Sequence, residues 1–424
     1  MRHGRSGAET FCAYPTDIIS LSHQVDRKDI EPYSLYKSEA WNQAEQLLER
    51  AAIEAGPPDL YFQGGIAGFA SYETMRSRKR TSNDFPSAFF GAYPHFVHID
   101  HHRRAAEEII LKSALPTPKE WPLLLAEAKR LSEEQDVSFR LLKPFEPLTS
   151  KDRYSFDFKR IKNYIASGDC YQVNYAQAFK AMCEGSSASA MQRLLAITDP
   201  AYAAWLSLPE GDVLSLSPEL FMTVKNRKIT TRPIKGTAPR LPNPQADIRQ
   251  ADALRSSTKN RAENLMIVDL LRHDIGQHAK TGSVRVEKLF EIESLPQVHH
   301  MVSTIQAELK EGSSIIDLLR DCFPGGSITG APKKRAMEII AELEPTPRSV
   351  YCGSIGFINS NGDGEFNIAI RTLLRVGNEI YAWAGGGIVA DSDCESEYQE
   401  CFDKMGALMR ALEQMGNETT AQSK

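Results

Sequence analysis

Tyr154-Ser-Phe-Asp-Phe-Lys-Arg-Ile-Lys-Asn-Tyr-Ile-Ala-Ser167, stopped by Gly168 and followed by Cys170-Tyr-Gln-Val-Asn-Tyr-Ala-Gln-Ala-Phe179, decides how the rest of the chain is read. The first part reads as a helix ending at Gly168, since glycine takes up the left-handed backbone that closes a helix without steric cost. The second part reads as a strand. From there to about Leu412, strand pairs of antiparallel character are interrupted by single helices, unlike the regular strand-helix-strand alternation of a parallel sheet. The expected fold is therefore α+β, with layered antiparallel β-sheets and flanking helices.

Upstream, short strand-like runs at Phe96–Ile99 and Ile109–Leu111 mix with helical stretches around Glu39–Ala55 and Trp121–Glu134. Phe62–Tyr72 is a glycine-rich strand, where missing side chains let another backbone approach closely. The polar stretch Pro144–Asp152 reads as a boundary. It divides the chain into an N-terminal region 1–147, a domain 148–412 and a polar tail 413–424 whose end, Asn417–Lys424, is expected to fray.

The 424 residues suffice for two or three cores at roughly 150 residues per domain. Lysine and arginine total 50 against 55 acidic residues, and no long basic run occurs, so neither nucleic acid nor a membrane surface is expected as a partner. No apolar run approaches the roughly 20 residues that span a bilayer, and the cytoplasm is the expected location. Seven cysteines, with no Cys-x-x-Cys among them, read as reduced and mostly buried.

The chemistry centres on Pro233-Ile-Lys-Gly-Thr237, which sets a lysine between a strand-like run and a glycine turn. An amine there can be a covalent nucleophile if burial or a neighbouring cation keeps it unprotonated. Alone it would more often be a surface charge. Its company changes that reading: Ser-Leu-Ser-Pro-Glu219 lies upstream and Arg261-Ala-Glu-Asn-Leu-Met-Ile-Val-Asp269 downstream.

A capped helix over Ser256–Gly276 puts Glu263 in its early turns. A second helix, beginning near Asp391 or Ser392 and running past Leu412, buries Met405, Leu408, Met409 and Leu412 and carries Glu397, Glu400 and Lys404 on another face. Together the carboxylates would suit Mg²⁺; the alternative is a solvated, salt-bridged surface. Gly385-Gly386-Gly387, just before that helix, favours the site, because bare backbone N–H groups can meet an anion. Phe323–Lys333 is a second glycine-rich loop, but Ala331-Pro332 separates Gly330 from Lys333 and no hydroxyl follows the lysine, so it is not a nucleotide loop. Arg371 suits a bidentate carboxylate contact, or a structural ion pair. His299 and His300, adjacent on a strand, point to opposite faces, so at most one belongs to a site. No Gly-x-Ser-x-Gly elbow is present.

Taken in order, Gly168-Asp-Cys-Tyr-Gln-Val-Asn174, Ser-Leu-Ser-Pro-Glu219, Pro-Ile-Lys235-Gly-Thr, Ala-Glu263-Asn-Leu-Met-Ile-Val-Asp, Gly-Gly-Ser-Ile-Thr-Gly-Ala-Pro-Lys333 and Gly-Gly-Gly-Ile-Val-Ala-Asp391 closely resemble the chorismate-utilising enzymes of the anthranilate synthase component I family. The resemblance spans nearly the whole chain. Within it, Lys235 is similar to the aminodeoxychorismate synthase branch, where anthranilate synthases usually have alanine. Gln172 stands where isochorismate and salicylate synthases have a lysine that activates water, which also argues for an amine nucleophile.

The resemblance implies amination of chorismate to 4-amino-4-deoxychorismate, a transaminase-class step toward 4-aminobenzoate and folate. Lys235 would be the covalent nucleophile and Glu219 the general acid. Mg²⁺ would be held by Glu263 and Glu400 with Glu397, and substrate contacts would fall on His300, Ser327, Tyr351, Arg371, Gly385, Gly387 and Lys404. Ammonia would come from a separate glutamine amidotransferase subunit. The alternatives are an anthranilate synthase component I or a non-catalytic subunit that binds the amidotransferase. The chain departs from the family pattern at Asn260, usually acidic, at His273, usually Asn, and at Gln277, usually Arg. The opening strands of the family's tryptophan pocket are expected to be missing before Phe11, and the pocket's other segment corresponds to Pro200-Ala-Tyr202, so loss of that pocket is expected.

Overall fold

The computed structural model describes residues 8–11, 15–21, 35–75, 85–115 and 138–422, and the expected helix at Trp121–Glu134 lies outside them. Among the described residues two large antiparallel sheets dominate. The larger has ten strands, running in the order Ile234–Pro239, Val298–Glu308, Lys228–Arg232, Leu220–Lys225, Gly364–Asn367, Ser354–Asn359, Gly65–Ala70, Ala88–Tyr93 and Asp17–Leu21, with Arg285–Ser294 also paired to Val298–Glu308. The smaller has seven, in the order Gly330–Ala331, Gln172–Glu184, Glu379–Ile388, Thr372–Val376, Gly211–Ser217 and Tyr202–Leu208, with Arg140–Pro147 also on Gln172–Glu184. Ala8–Phe11, His95–Asp100 and Ala105–Ile110 make a three-stranded sheet. The α+β expectation holds, and the N-terminal strands share the ten-stranded sheet with strands from beyond Pro147.

Gly65–Ala70 is the seam. All of its residues are buried, and its glycines are there for close approach: a Cβ on Gly68 would lie 1.9 Å from the carbonyl oxygen of Phe89, and one on Gly65 would lie 2.1 Å from that of Ile358. Over this sheet the helix Leu35–Ala51 inserts Trp41, whose ring meets Phe90, Phe323 and Phe366 within 5.6–5.9 Å. One aromatic cluster thus joins the first helix to three distant parts of the chain, with edge-on ring contacts that add to the area they bury.

The helix after the polar boundary spans Lys151–Ala166, capped by the Ser150 side chain accepting from the Arg153 N–H. The second helix of the sequence reading spans Cys394–Gln422, so residues 413–422 continue it. Cys170, Cys183, Cys322, Cys352, Cys394 and Cys401 are free thiols. Among the described residues, no helix is long and apolar enough to cross a membrane.

Twice the chain passes directly between the large sheets. Pro218-Glu219 links Gly211–Ser217 of the smaller to Leu220–Lys225 of the larger, and Ile368–Arg371 links Gly364–Asn367 of the larger to Thr372–Val376 of the smaller. Hydrogen bonds hold these crossovers to each other. The Ser217 hydroxyl donates to the Ile368 carbonyl at 2.6 Å, and the Ile368 N–H donates to the Glu219 carbonyl at 3.0 Å.

Candidate active site

Lys235 owes its direction to an irregularity in pairing. Ile234 faces Val302 and Thr237 faces His300, so the two residues Lys235 and Gly236 oppose Met301 alone. Such a bulge kinks the strand and re-aims a side chain. Gly236 makes it possible: its φ is +91°, and a Cβ there would come within 3.0 Å of the Leu254 and Asn260 side chains. The Lys235 amine turns inward and donates to the Ser327 carbonyl at 3.2 Å. Burial pushes its pKa below the ordinary lysine value; the Glu263 carboxylate opposes this and the Lys404 ammonium reinforces it.

Glu219, on the first crossover, is 5% exposed. Burial raises its carboxyl above the ordinary glutamate value, against a hydrogen bond with Ser327 and the charge of Lys235. The Ser217 hydroxyl accepts from the Glu219 N–H at 3.1 Å, which fixes the turn. Ser327 therefore touches both groups, its carbonyl taking the lysine and its hydroxyl meeting the glutamate.

The carboxylates Glu397 and Glu400 lie over Gly386, and Glu263 is close enough to feel the charge of Glu400. A Cβ on that glycine would stand 2.7 Å from Oε2 of Glu397 and 3.7 Å from Oε1 of Glu400, so the missing side chain leaves room for both. The Glu397 Oε1 accepts from the Ser392 hydroxyl at 2.7 Å. Burial raises the pKa of Glu263 and of Glu397, and the Glu400 charge raises both further, as expected of acids sharing one region. Lys259 lies 4.0 Å from Glu263 and 3.8 Å from Glu397. Among the described residues no three His, Cys, Asp or Glu side chains converge tightly enough to hold a metal ion by themselves. The donors fit Mg²⁺, which takes one or two carboxylates and completes its octahedron with water and substrate oxygens.

Gly385–Gly387 is extended backbone, not a turn. The triplet lies within the strand Glu379–Ile388, paired with Ala176, Tyr175 and Asn174, and its service is space. A Cβ on Gly387 would lie 2.6 Å from the Gln172 amide nitrogen. Gln172 is fully buried, and its amide nitrogen and oxygen have no hydrogen-bond partner among the described residues.

Arg371 sits on the second crossover at φ 51°, a left-handed conformation unusual for a non-glycine residue. Burial pulls its pKa down, and no carboxylate among the described residues pairs with it, so this guanidinium suits a ligand carboxylate and not the structural pair that was its alternative. Tyr351 is buried, with its ring stacked at 6.3 Å on Trp383. Lys404 bridges Glu400 at 2.5 Å and the Gly385 carbonyl at 2.9 Å. The two histidines divide as adjacent strand residues must: His299 bonds Asp247 at 2.9 Å and Ser294 at 2.7 Å, while His300 meets the Thr237 hydroxyl at 2.8 Å, two residues from Lys235.

The family model for chorismate binding enzymes matches residues 5–410. The chain belongs to the chorismate binding enzyme family. Aminodeoxychorismate synthase component 1 of Escherichia coli (strain K12) is 44% identical over 376 residues, covering 87% of this chain and 82% of that protein. The protein of the same name from Bacillus subtilis (strain 168) is 37% identical, covering 84% of this chain and 79% of its own. Anthranilate synthase component I from Streptococcus pneumoniae TIGR4 superposes with a TM-score of 0.79 at 27% identity, over 97% of this chain and 94% of that one. Of the candidate groups, Glu219 and Arg371 lie on the two sheet crossovers.

Sequence reasoning missed Arg348, a buried hub beside the candidate site. Arg348, 1% exposed, donates to both oxygens of Glu344 at 2.7 and 2.9 Å and to the carbonyls of Ile328 and Asn174 at 2.8 and 2.6 Å. Its guanidinium lies over the Tyr72 ring at 4.6 Å. Among the departures, Asn260 serves the helix start, its amide donating to Ser257 at 3.0 Å. Lys333, which closes the second glycine-rich loop, is tied to Asp274 at 2.5 Å.

Proposed function

We propose that this chain is the chorismate-aminating component of an aminodeoxychorismate synthase, with Lys235 as nucleophile and Glu219 as general acid. The observation that carries the proposal is a single pairing. A buried amine whose pKa is depressed stands beside a buried carboxyl whose pKa is elevated, both bonded to Ser327. Each shift favours the form its role requires.

In the first step the Lys235 nitrogen forms a bond to the ring as the bond to the 4-hydroxyl breaks, and Glu219 supplies the proton with which that oxygen leaves as water. In the second, ammonia bonds to the carbon the hydroxyl left, the bond to Lys235 breaks, and the ammonia nitrogen returns one proton to Glu219. The balance is chorismate plus ammonia to 4-amino-4-deoxychorismate plus water. Glu263, Glu397 and Glu400 would hold Mg²⁺, which supplies charge neutralisation at the ring carboxylate. Arg371, Tyr351, His300, Ser327, Lys404 and the backbone of Gly385 and Gly387 would seat the substrate.

The relatives' designation as component 1 supports a separate partner, which we take to be a glutamine amidotransferase that delivers ammonia, with free ammonium as substitute. The cytoplasm is the proposed setting. Incubating the chain with chorismate, ammonium and Mg²⁺ and identifying the product by mass tests the reading. Anthranilate with pyruvate would replace it by the anthranilate synthase reading, and binding of an amidotransferase without chorismate consumption would leave only a structural subunit. Lys235→Ala should abolish or severely slow amination while the fold persists.

A further inference from the structure

We infer that Asn174 is a positioning residue for the nucleophile, acting through the peptide carbonyl of Ser327; this rests on the role proposed for Lys235. That oxygen accepts two hydrogen bonds, from the Lys235 amine at 3.2 Å and from the Asn174 side-chain amide at 3.1 Å. A carbonyl has two lone pairs, so one acceptor serves both donors. The Asn174 amide occupies one and leaves the other aimed at the lysine.

Asn174 is itself held from several sides. It is 8% exposed, paired with Gly387 in the strand register, and its N–H donates to the Thr329 carbonyl at 2.8 Å. Its own carbonyl accepts from Arg348 at 2.6 Å. The one-turn helix Gly326–Ile328 that presents the Ser327 oxygen is braced at its other carbonyls as well, by Arg348 on Ile328 at 2.8 Å and by the Thr329 hydroxyl on Gly325 at 3.0 Å. The turn cannot drift, and neither can the acceptor that orients the amine.

The chemistry asks for this. An unprotonated lysine spends one N–H on the Ser327 oxygen, which directs its lone pair away from that bond and toward the ring. Ser327 also meets Glu219 through its hydroxyl, so one residue sets the spacing between the attacking amine and the acid that serves the departing oxygen. Misplacement of about 1 Å at such a point can cost roughly 100-fold in rate. Asn174 itself is not among the residues proposed to seat the substrate, so KM for chorismate should change less than kcat.

The test compares Asn174→Leu and Asn174→Asp, both close in shape and both lacking the donor, with wild type and Lys235→Ala. Product formation is followed with chorismate, ammonium and Mg²⁺, and thermal melting is followed on the same samples. The expected result is a kcat lowered by about 10- to 100-fold with KM for chorismate within about threefold, at a melting temperature near wild type. Asn174→Asp should be at least as impaired, since a carboxylate facing the carbonyl repels it. An unchanged kcat in either folded variant overturns the inference, as does a loss appearing chiefly in KM. If leucine prevents folding, the aspartate variant decides. Unchanged amination by Lys235→Ala would instead overturn the nucleophile assignment, so the two failures are distinct.

Discussion

Glu219 is the residue at which catalysis and stability pull in opposite directions. Its folded pKa is raised by burial, so the protonated form stabilises the fold below the ordinary value of 4.5, and this contribution is lost as pH rises through the folded pKa. Glu219→Gln, neutral at every pH, should therefore melt higher than wild type at pH 8, with the advantage shrinking as pH approaches 4.5. Differential scanning calorimetry across that range checks it. The same variant should lose turnover by about 10²- to 10⁴-fold, the usual worth of a positioned acid. The rate profile follows from the same shifts. Turnover should rise with pH as Lys235 loses its proton, below the ordinary 10.5, and fall as Glu219 loses its own, above 4.5. Lys235 was singled out in the sequence by its place before a turn glycine, and Glu219 by the family resemblance. The bulge that aims Lys235 was not, since it depends on the register against Val298–Glu308, a strand some sixty residues downstream.

At the level of the element, the strand Glu379–Ile388 and the helix Cys394–Gln422 form one device. The strand supplies a bare backbone and the helix lowers Glu397 and Glu400 onto it. Gly386→Ala would place a methyl 2.7 Å from the Glu397 carboxylate and force it aside. The Mg²⁺ concentration for half-maximal activity should rise by about 10- to 100-fold, the usual loss when groups supporting metal ligands are disturbed, with melting in the absence of Mg²⁺ little changed. Metal titration of both proteins checks this. The spacing of Glu397, Glu400 and Lys404 was readable from helical periodicity, whereas the purpose of the glycines was not. Their sequence suggests anion-binding N–H groups; the strand pairs with Gln172–Glu184 along one edge. The space that the missing side chains leave for Glu397 and Gln172 shows only in the neighbouring side chains.

Across the whole molecule, Arg348 is the rivet. Its peptide N–H bonds Glu73 at 2.8 Å, and its guanidinium pairs with Glu344 beneath the strand that carries Asn174. Glu344 in turn accepts from the Ala176 N–H at 2.9 Å. Removing one member of a buried pair strands the other charge, at a cost of about 3–5 kcal/mol. Arg348→Met should therefore lower unfolding stability by that order in urea titrations and reduce turnover as Ile328 and Asn174 lose their donor. This network was illegible in the sequence. Two of its acceptors are main-chain oxygens, which every residue possesses, and its partners Glu73, Asn174 and Ile328 come from segments far apart along the chain. The α+β class was legible from local periodicity, but the joining of Gly65–Ala70 to Ser354–Asn359 is a long-range choice that periodicity does not encode.

That last pairing sets the order in which the protein can be made. During synthesis Gly65–Ala70 leaves the ribosome with its hydrogen-bonding edge facing Ser354–Asn359 still untranslated. Strands joined over such separations close slowly, and the early apolar strand waits in the open, where nascent chains are prone to stick to one another. The amount of active enzyme recovered from a cell should accordingly depend on what shields that strand before the last third of the chain emerges.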